Sequence, residues 1–106
     1  MTHVTFFRTG KHLYGFDCTG HAGYAEAGED IVCSAISVLT QTAVIGLTEV
    51  AHLPADVSVT DGHLCCVVSR DMDDPQQEEA DLLLNTLLKG LHAVDESYPG
   101  YLKIRE

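Results

Sequence analysis

Basic residues are scarce in this chain: 6 lysines and arginines stand against 16 aspartates and glutamates, for a formal net charge of −10. Such a field repels a phosphate backbone, so nucleic acid is not expected as a direct partner. A basic protein or peptide is the partner that this charge attracts, although solubility alone would ask for the same acidity. No apolar run reads as long as a bilayer span. The opening "MTHVTFFRTGKHLYGF" lacks a charged leader followed by a long apolar stretch. No membrane partner and no secretory signal are therefore expected, and the expected location is cytoplasmic. The cysteines Cys18, Cys33, Cys65 and Cys66 form no Cys-x-x-Cys and no zinc-finger spacing with a histidine pair, which argues against a structural metal. Disulfides are not expected in a reducing compartment, and the neighbours Cys65 and Cys66 would point to opposite faces of a strand. Calcium-loop spacing, internal repeats, linkers and low-complexity segments are lacking as well. What remains, 106 residues of which 45% are apolar, fits one domain over 1–106 with a core of its own.

Residue patterning places the elements. "HVTFFR" (3–8) and "HLYGFDC" (12–18), parted by "TGK", read as a strand pair. Residues 19–29 form a loop with Gly20, Gly23 and Gly28, longer than an ordinary connection. Asp30 is the expected N-cap of a helix over 31–52, apolar nearly all round and so packed on two sides, one of which could be a partner subunit. Gly46 is a weak point in that helix unless another helix approaches it, and Pro54 ends it. "ADVSVT" (55–60), the hairpin signal Asp61-Gly62 and "HLCCVVSR" (63–70) read as a second strand pair. A second helix opens at "DDPQQEE" with Asp74 as its expected cap and Pro75 as its first residue. Its apolar stripe is Ala80, Leu83, Leu84, Leu87, Leu88, Leu91 and Val94. "YLKIRE" (101–106) is a last strand. The order ββ-α-ββ-α-β predicts an α+β fold of two layers, a mixed sheet with two helices.

One stretch concentrates reactive side chains. With Asp30 as cap, Cys33 is the third helical residue, where free N–H groups and the helix dipole favour a thiolate. The aspartate opposes this, and an imidazolium would restore the balance; His21, between a strand end and the glycine-rich loop, can supply it. Ser37 lies four residues on, on the same helical face, to orient the imidazole or bond the substrate. The backbone N–H groups of Cys33 and Ser34 could receive an oxyanion. Each residue also has a plainer reading. A lone cysteine on an apolar helix is usually core, a lone histidine is usually a surface group, and a serine can bond back to its own helix. Cys18 and Cys66 read as buried small residues, and His3, His12, His52, His63 and His92 as surface or strand-edge groups. The acids Asp71, Asp73, Asp74, Glu78, Glu79 and Asp81 read as a solvated helix start. A non-enzymatic adaptor for basic tails, or a thiol redox sensor pairing Cys33 with Cys18 or Cys65, would also use some of these features.

The segment "GHAGYAEAGEDIVCSAIS" (20–37) resembles the signature of the bacterial ribosomal-processing cysteine proteases, the Prp family: Gly-His-Ala, a glycine-bearing loop, Asp-Ile-Val-Cys, and a serine four positions on. The resemblance implies a catalytic dyad of His21 and Cys33 supported by Gly20, Asp30 and Ser37, with a loop between them that closes over the peptide. It also implies a homodimer, no metal and no cofactor. The implied substrate is the short N-terminal extension of large-subunit ribosomal protein twenty-seven, a basic protein.

Overall fold

In the computed structural model, which describes residues 1–26 and 30–106, the elements follow the expected order. Strands β1 (Thr2–Thr9) and β2 (His12–Thr19) precede helix α1 (Ile31–Ile45), which runs into a π-helical turn (Gly46–Val50). Strands β3 (Ala55–Thr60) and β4 (His63–Val68), helix α2 (Asp74–Ser97) and strand β5 (Leu102–Arg105) complete the chain. The sheet order is β3-β4-β2-β1-β5. Only the β1–β5 pair is parallel, so the sheet is mixed.

One face of the sheet and the two helices share the core. Val4 and Phe6 of β1, Leu13 and Phe16 of β2, and Cys66 and Val68 of β4 are buried together with Val32, Ile36, Ala43 and Leu47 and with Ala80, Leu84, Leu87, Leu88 and Leu91 of α2. Strict alternation would send Leu13 and Phe16 to opposite faces. A bulge resolves this: the register shifts between Phe7 and Arg8, so that Tyr14 is the extra residue on β2. On the opposite face, Tyr14 stacks on Phe7 at 5.9 Å and carries the Arg70 guanidinium 3.9 Å above its ring.

Several sequence-based expectations are corrected. The α-helical part of the first helix stops at Ile45 rather than running to 52, and the π turn follows, with the Ala51 N–H donating to the Gly46 carbonyl at 2.8 Å. Together they make a 20-residue apolar run, Ile31–Val50, with mean hydropathy 1.8, so a run of spanning length is present. One side of it packs into the core, with Val32, Ile36, Ala43 and Leu47 buried in the chain's own interior. Ile31, Val38, Ile45 and Val50 leave a second apolar stripe exposed in the single chain. Gly46 does meet another helix: a Cβ there would lie 3.3 Å from Cδ2 of Leu83. The cap of α2 is Asp73, not Asp74. Its carboxylate accepts from the Gln76 N–H at 2.9 Å while the Gln76 side chain accepts from the Asp73 N–H at 3.1 Å, a reciprocal capping box.

Asp81 is not part of a merely solvated helix start. It accepts from the Leu13 N–H at 2.9 Å and from the His12 ring at 2.7 Å, clasping α2 to β2. Two further histidines read as surface or strand-edge groups also face carboxylates: His63 meets Asp17 at 2.5 Å and His92 meets Glu106 at 3.2 Å. Cys66 is buried as expected, but Cys18 is only half-buried, and all four cysteines are free.

Candidate active site

Two local features set the position of Cys33. The first is the break between loop and helix at Asp30, whose φ of −81° and ψ of 98° are extended. The second is its side chain, which accepts from the Cys33 N–H at 2.8 Å and so fixes the first turn of α1. The same carboxylate accepts from the N–H groups of Tyr24 at 2.9 Å and Ala25 at 3.4 Å. One buried acid thereby binds the loop leaving His21 to the helix that carries Cys33. Tyr24 is held on its other side by edge-on contacts with the rings of Tyr98 and Tyr101, at 5.5 and 5.1 Å. Gly28, the third glycine of the expected gate, lies outside the described residues.

Desolvation works against the charge of Asp30, but the backbone donors of Cys33, Ala25, Tyr24 and Val32 outweigh it and hold the carboxyl below its usual range. A carboxyl lowered by folding stabilises the protein fully above the unfolded value of about 4 and loses that contribution as pH falls through the lower folded value. Asp30→Asn is therefore expected to show a shallower loss of stability with acid below pH about 4 than the parent. Thermal unfolding followed by circular dichroism across that range checks it; superimposable pH profiles would contradict the assignment.

His21 follows the end of β2, where Gly20 takes a φ of +92°. A Cβ on Gly20 would lie 2.7 Å from the Met1 carbonyl oxygen, so this residue needs glycine for both its backbone angle and its neighbour. The imidazole then reaches across to the helix, with Nδ1 4.0 Å from Sγ of Cys33. That is the outer reach of a sulfur hydrogen bond, as free enzymes often show before substrate tightens the pair. The pair is exposed. Spacing predicted this contact only on condition that the loop fold back, and the Asp30 bonds to Tyr24 and Ala25 hold it that way.

Two grooves meet at the sulfur. One, of about 510 Å³, runs between α1 and the β3–β4 hairpin and is lined by Ile36, Val44, Val57, Val59 and Leu64 beside His21 and Cys33. The other follows the loop side through Gly23, Ala25, Ser34 and Val38. Ser37 lines both. Among the described residues its side chain makes no hydrogen bond to His21. The suggested oxyanion donors are corrected. The Cys33 N–H is committed to the Asp30 carboxylate, and the Ser34 N–H donates to the Asp30 carbonyl at 3.0 Å. Sequence reasoning did not place Cys18, which lines the groove beside the β3–β4 hairpin, or Gly62, next to the His21 ring, at this site.

The other thiols are held protonated. Burial, then the Asp17 charge and then Cys33 push Cys18 up to about 11, and burial followed by Cys65 does the same for Cys66. Burial and Asp17 raise Cys65. Since thiolates react with alkyl halides and thiols do not, iodoacetamide at neutral pH is expected to label Cys33 selectively. Peptide mass mapping checks it, and comparable labelling of Cys18 or Cys65 would contradict it.

Comparison with known proteins points the same way. The family model for cysteine protease Prp matches residues 1–103. The ribosomal processing cysteine protease Prp of Bacillus subtilis is 25% identical over 96 residues, covering 89% of this chain and 86% of its own. That of Staphylococcus aureus is 34% identical over 92 residues, covering 80% and 78%. A crystal structure of the S. aureus essential ribosomal processing protease Prp, in complex with a covalently linked product peptide, superposes with a TM-score of 0.87 at 25% identity over 99% of this chain and 98% of that one.

Proposed function

Because the chain belongs to the cysteine protease Prp family, matched over residues 1–103, we propose that Cys33 and His21 are its catalytic dyad and that its substrate is the short N-terminal extension of large-subunit ribosomal protein twenty-seven. The observation that carries the dyad is the 4.0 Å approach of His21 Nδ1 to an exposed sulfur where two grooves meet. The net charge of −10 suits a basic substrate met in the cytoplasm. The covalently linked product in the S. aureus relative is what a nucleophilic sulfur would leave.

In this mechanism the Cys33 thiol passes its proton to His21 and the sulfur attacks the scissile carbonyl carbon. As the tetrahedral adduct collapses, the C–N bond breaks and the leaving amine takes the proton from His21. A thioester to Cys33 remains. Water then attacks the thioester carbonyl, His21 takes its proton and returns it to the sulfur, and the new carboxyl terminus departs. Gly20 and Asp30 hold the two partners in place, and Ser37, open to both grooves, offers its hydroxyl to the substrate. The exposed stripe Ile31, Val38, Ile45 and Val50 is suited to a second copy of the chain in a homodimer.

The test incubates the protein with its host's ribosomal protein twenty-seven precursor and follows the mass. A shortened product with the parent and an intact precursor with Cys33→Ala is the expected result. Identical shortening by both would remove Cys33 from the chemistry. Salt-sensitive binding with no cleavage by either would favour the adaptor instead.

A further inference from the structure

The edge of the His21 ring that faces away from the sulfur has a neighbour of its own. Gly62, in the turn between β3 and β4, has a φ of +72°, and an ideal Cβ on it would stand 3.2 Å from His21 Nε2. Packed carbon and nitrogen atoms do not normally rest that close, so the ring lies in the space a side chain would fill. The same glycine holds the backbone entering His21: its carbonyl accepts from the Gly20 N–H at 2.9 Å. The ladder brings the two together, since Thr19 pairs with His63. One residue of a distant hairpin thus touches both the peptide before the histidine and the far edge of its imidazole.

We propose that Gly62 is a positioning residue of the protease: its bare Cα face is the seat that keeps the His21 imidazole turned toward Cys33. This rests on the dyad reading above. Two demands for glycine coincide here, and chemistry separates them. The left-handed φ is tolerated by asparagine, but a Cβ would press on the ring and displace it by a few tenths of an ångström. Gly10, in the β1–β2 turn, supplies a matched control. Its φ is +60° and a Cβ there would meet nothing within 4 Å.

Gly62→Asn is expected to lower kcat about 100-fold, as small misplacements of catalytic groups do, while Gly10→Asn stays within about twofold of the parent on the same principle. Both should shift Tm by similar small amounts. Two readouts separate positioning from loss of structure. Gly62→Asn should slow alkylation of Cys33 by iodoacetamide in the parent background and have no further effect once His21 is alanine, a coupling that a merely structural role would not produce. It should also move the NMR signals of the His21 ring, which Gly10→Asn should leave in place. Gly62→Asn behaving as Gly10→Asn in a protein that needs His21 overturns this inference alone, as does an equal slowing of alkylation with and without the histidine. A parent protein whose Cys33 alkylates at the same rate after His21→Ala overturns the dyad reading and this inference with it.

Discussion

Replacing Cys33 by alanine is expected to remove all measurable cleavage of the ribosomal precursor, a loss of roughly four orders of magnitude or more in kcat/KM. Alanine offers no atom to form the thioester, and binding alone does not hydrolyse a peptide. His21→Ala should lose nearly as much, and the double variant no more than the worse single one, because the two side chains act as a unit. Cys33 sits in the first turn of α1, whose geometry depends on the backbone bond to Asp30 and not on the thiol. Tm should therefore hardly move. Steady-state cleavage measured beside calorimetry separates the outcomes. Retention of more than about 1% of activity would mean that another nucleophile acts, and a collapse of Tm would mean that Cys33 is a structural residue.

The largest expected effect on stability falls at Gly15, far from the dyad. It lies in β2, the middle strand of five, between Phe7 of β1 and Val67 of β4. A Cβ there would run into the Cys66 carbonyl oxygen and stand 2.9 Å from Cα of Val67. Both obstacles are backbone held in the central ladder, so neither can turn aside as a flexible side chain would. Gly15→Ala should cost at least about 4 kcal/mol, a value reached by few single substitutions and a large part of the 5–15 kcal/mol typical of a domain. Urea unfolding checks this. A midpoint within experimental scatter of the parent would show that the β2–β4 pair slides apart more easily than a packed ladder should.

Order and type of the elements were legible in the chain because each relies on nearby residues. Alternation marks β3, Asp61-Gly62 marks its hairpin, Asp30 before an apolar run marks α1, and the leucine stripe marks α2. The adjacent acids Asp73 and Asp74 were both able to cap, and the choice turns on Gln76 lying three residues after the first of them. That signal was present and went unused. The end of α1 was not legible, since widening from α to π bonding at Gly46–Val50 has no residue signature of its own. The bulge at Tyr14 shows only as a break in alternation. At the site, the reactive types and their order were legible, but the 4.0 Å contact depends on Asp30 gripping Tyr24 and Ala25, a tertiary detail. Of the two amides suggested for the oxyanion, that of Cys33 is taken by the capping carboxylate and that of Ser34 by the first bond of the helix itself, to the Asp30 carbonyl. Gly62 could not have been found from spacing, because its demand for a bare Cα comes from a ring 41 positions earlier, whereas the turn gives a sufficient local reason for glycine.

The bond from Gly20 to Gly62 has a consequence for the order in which the enzyme comes to life. His21 and Cys33 belong to the first third of the chain, yet the turn that accepts the Gly20 N–H is synthesised well after them. On the proposed reading, a nascent chain holding histidine and cysteine alone has no finished catalytic apparatus until the second hairpin docks. On dilution from denaturant the protein's activity should therefore return with the last step of refolding and not before.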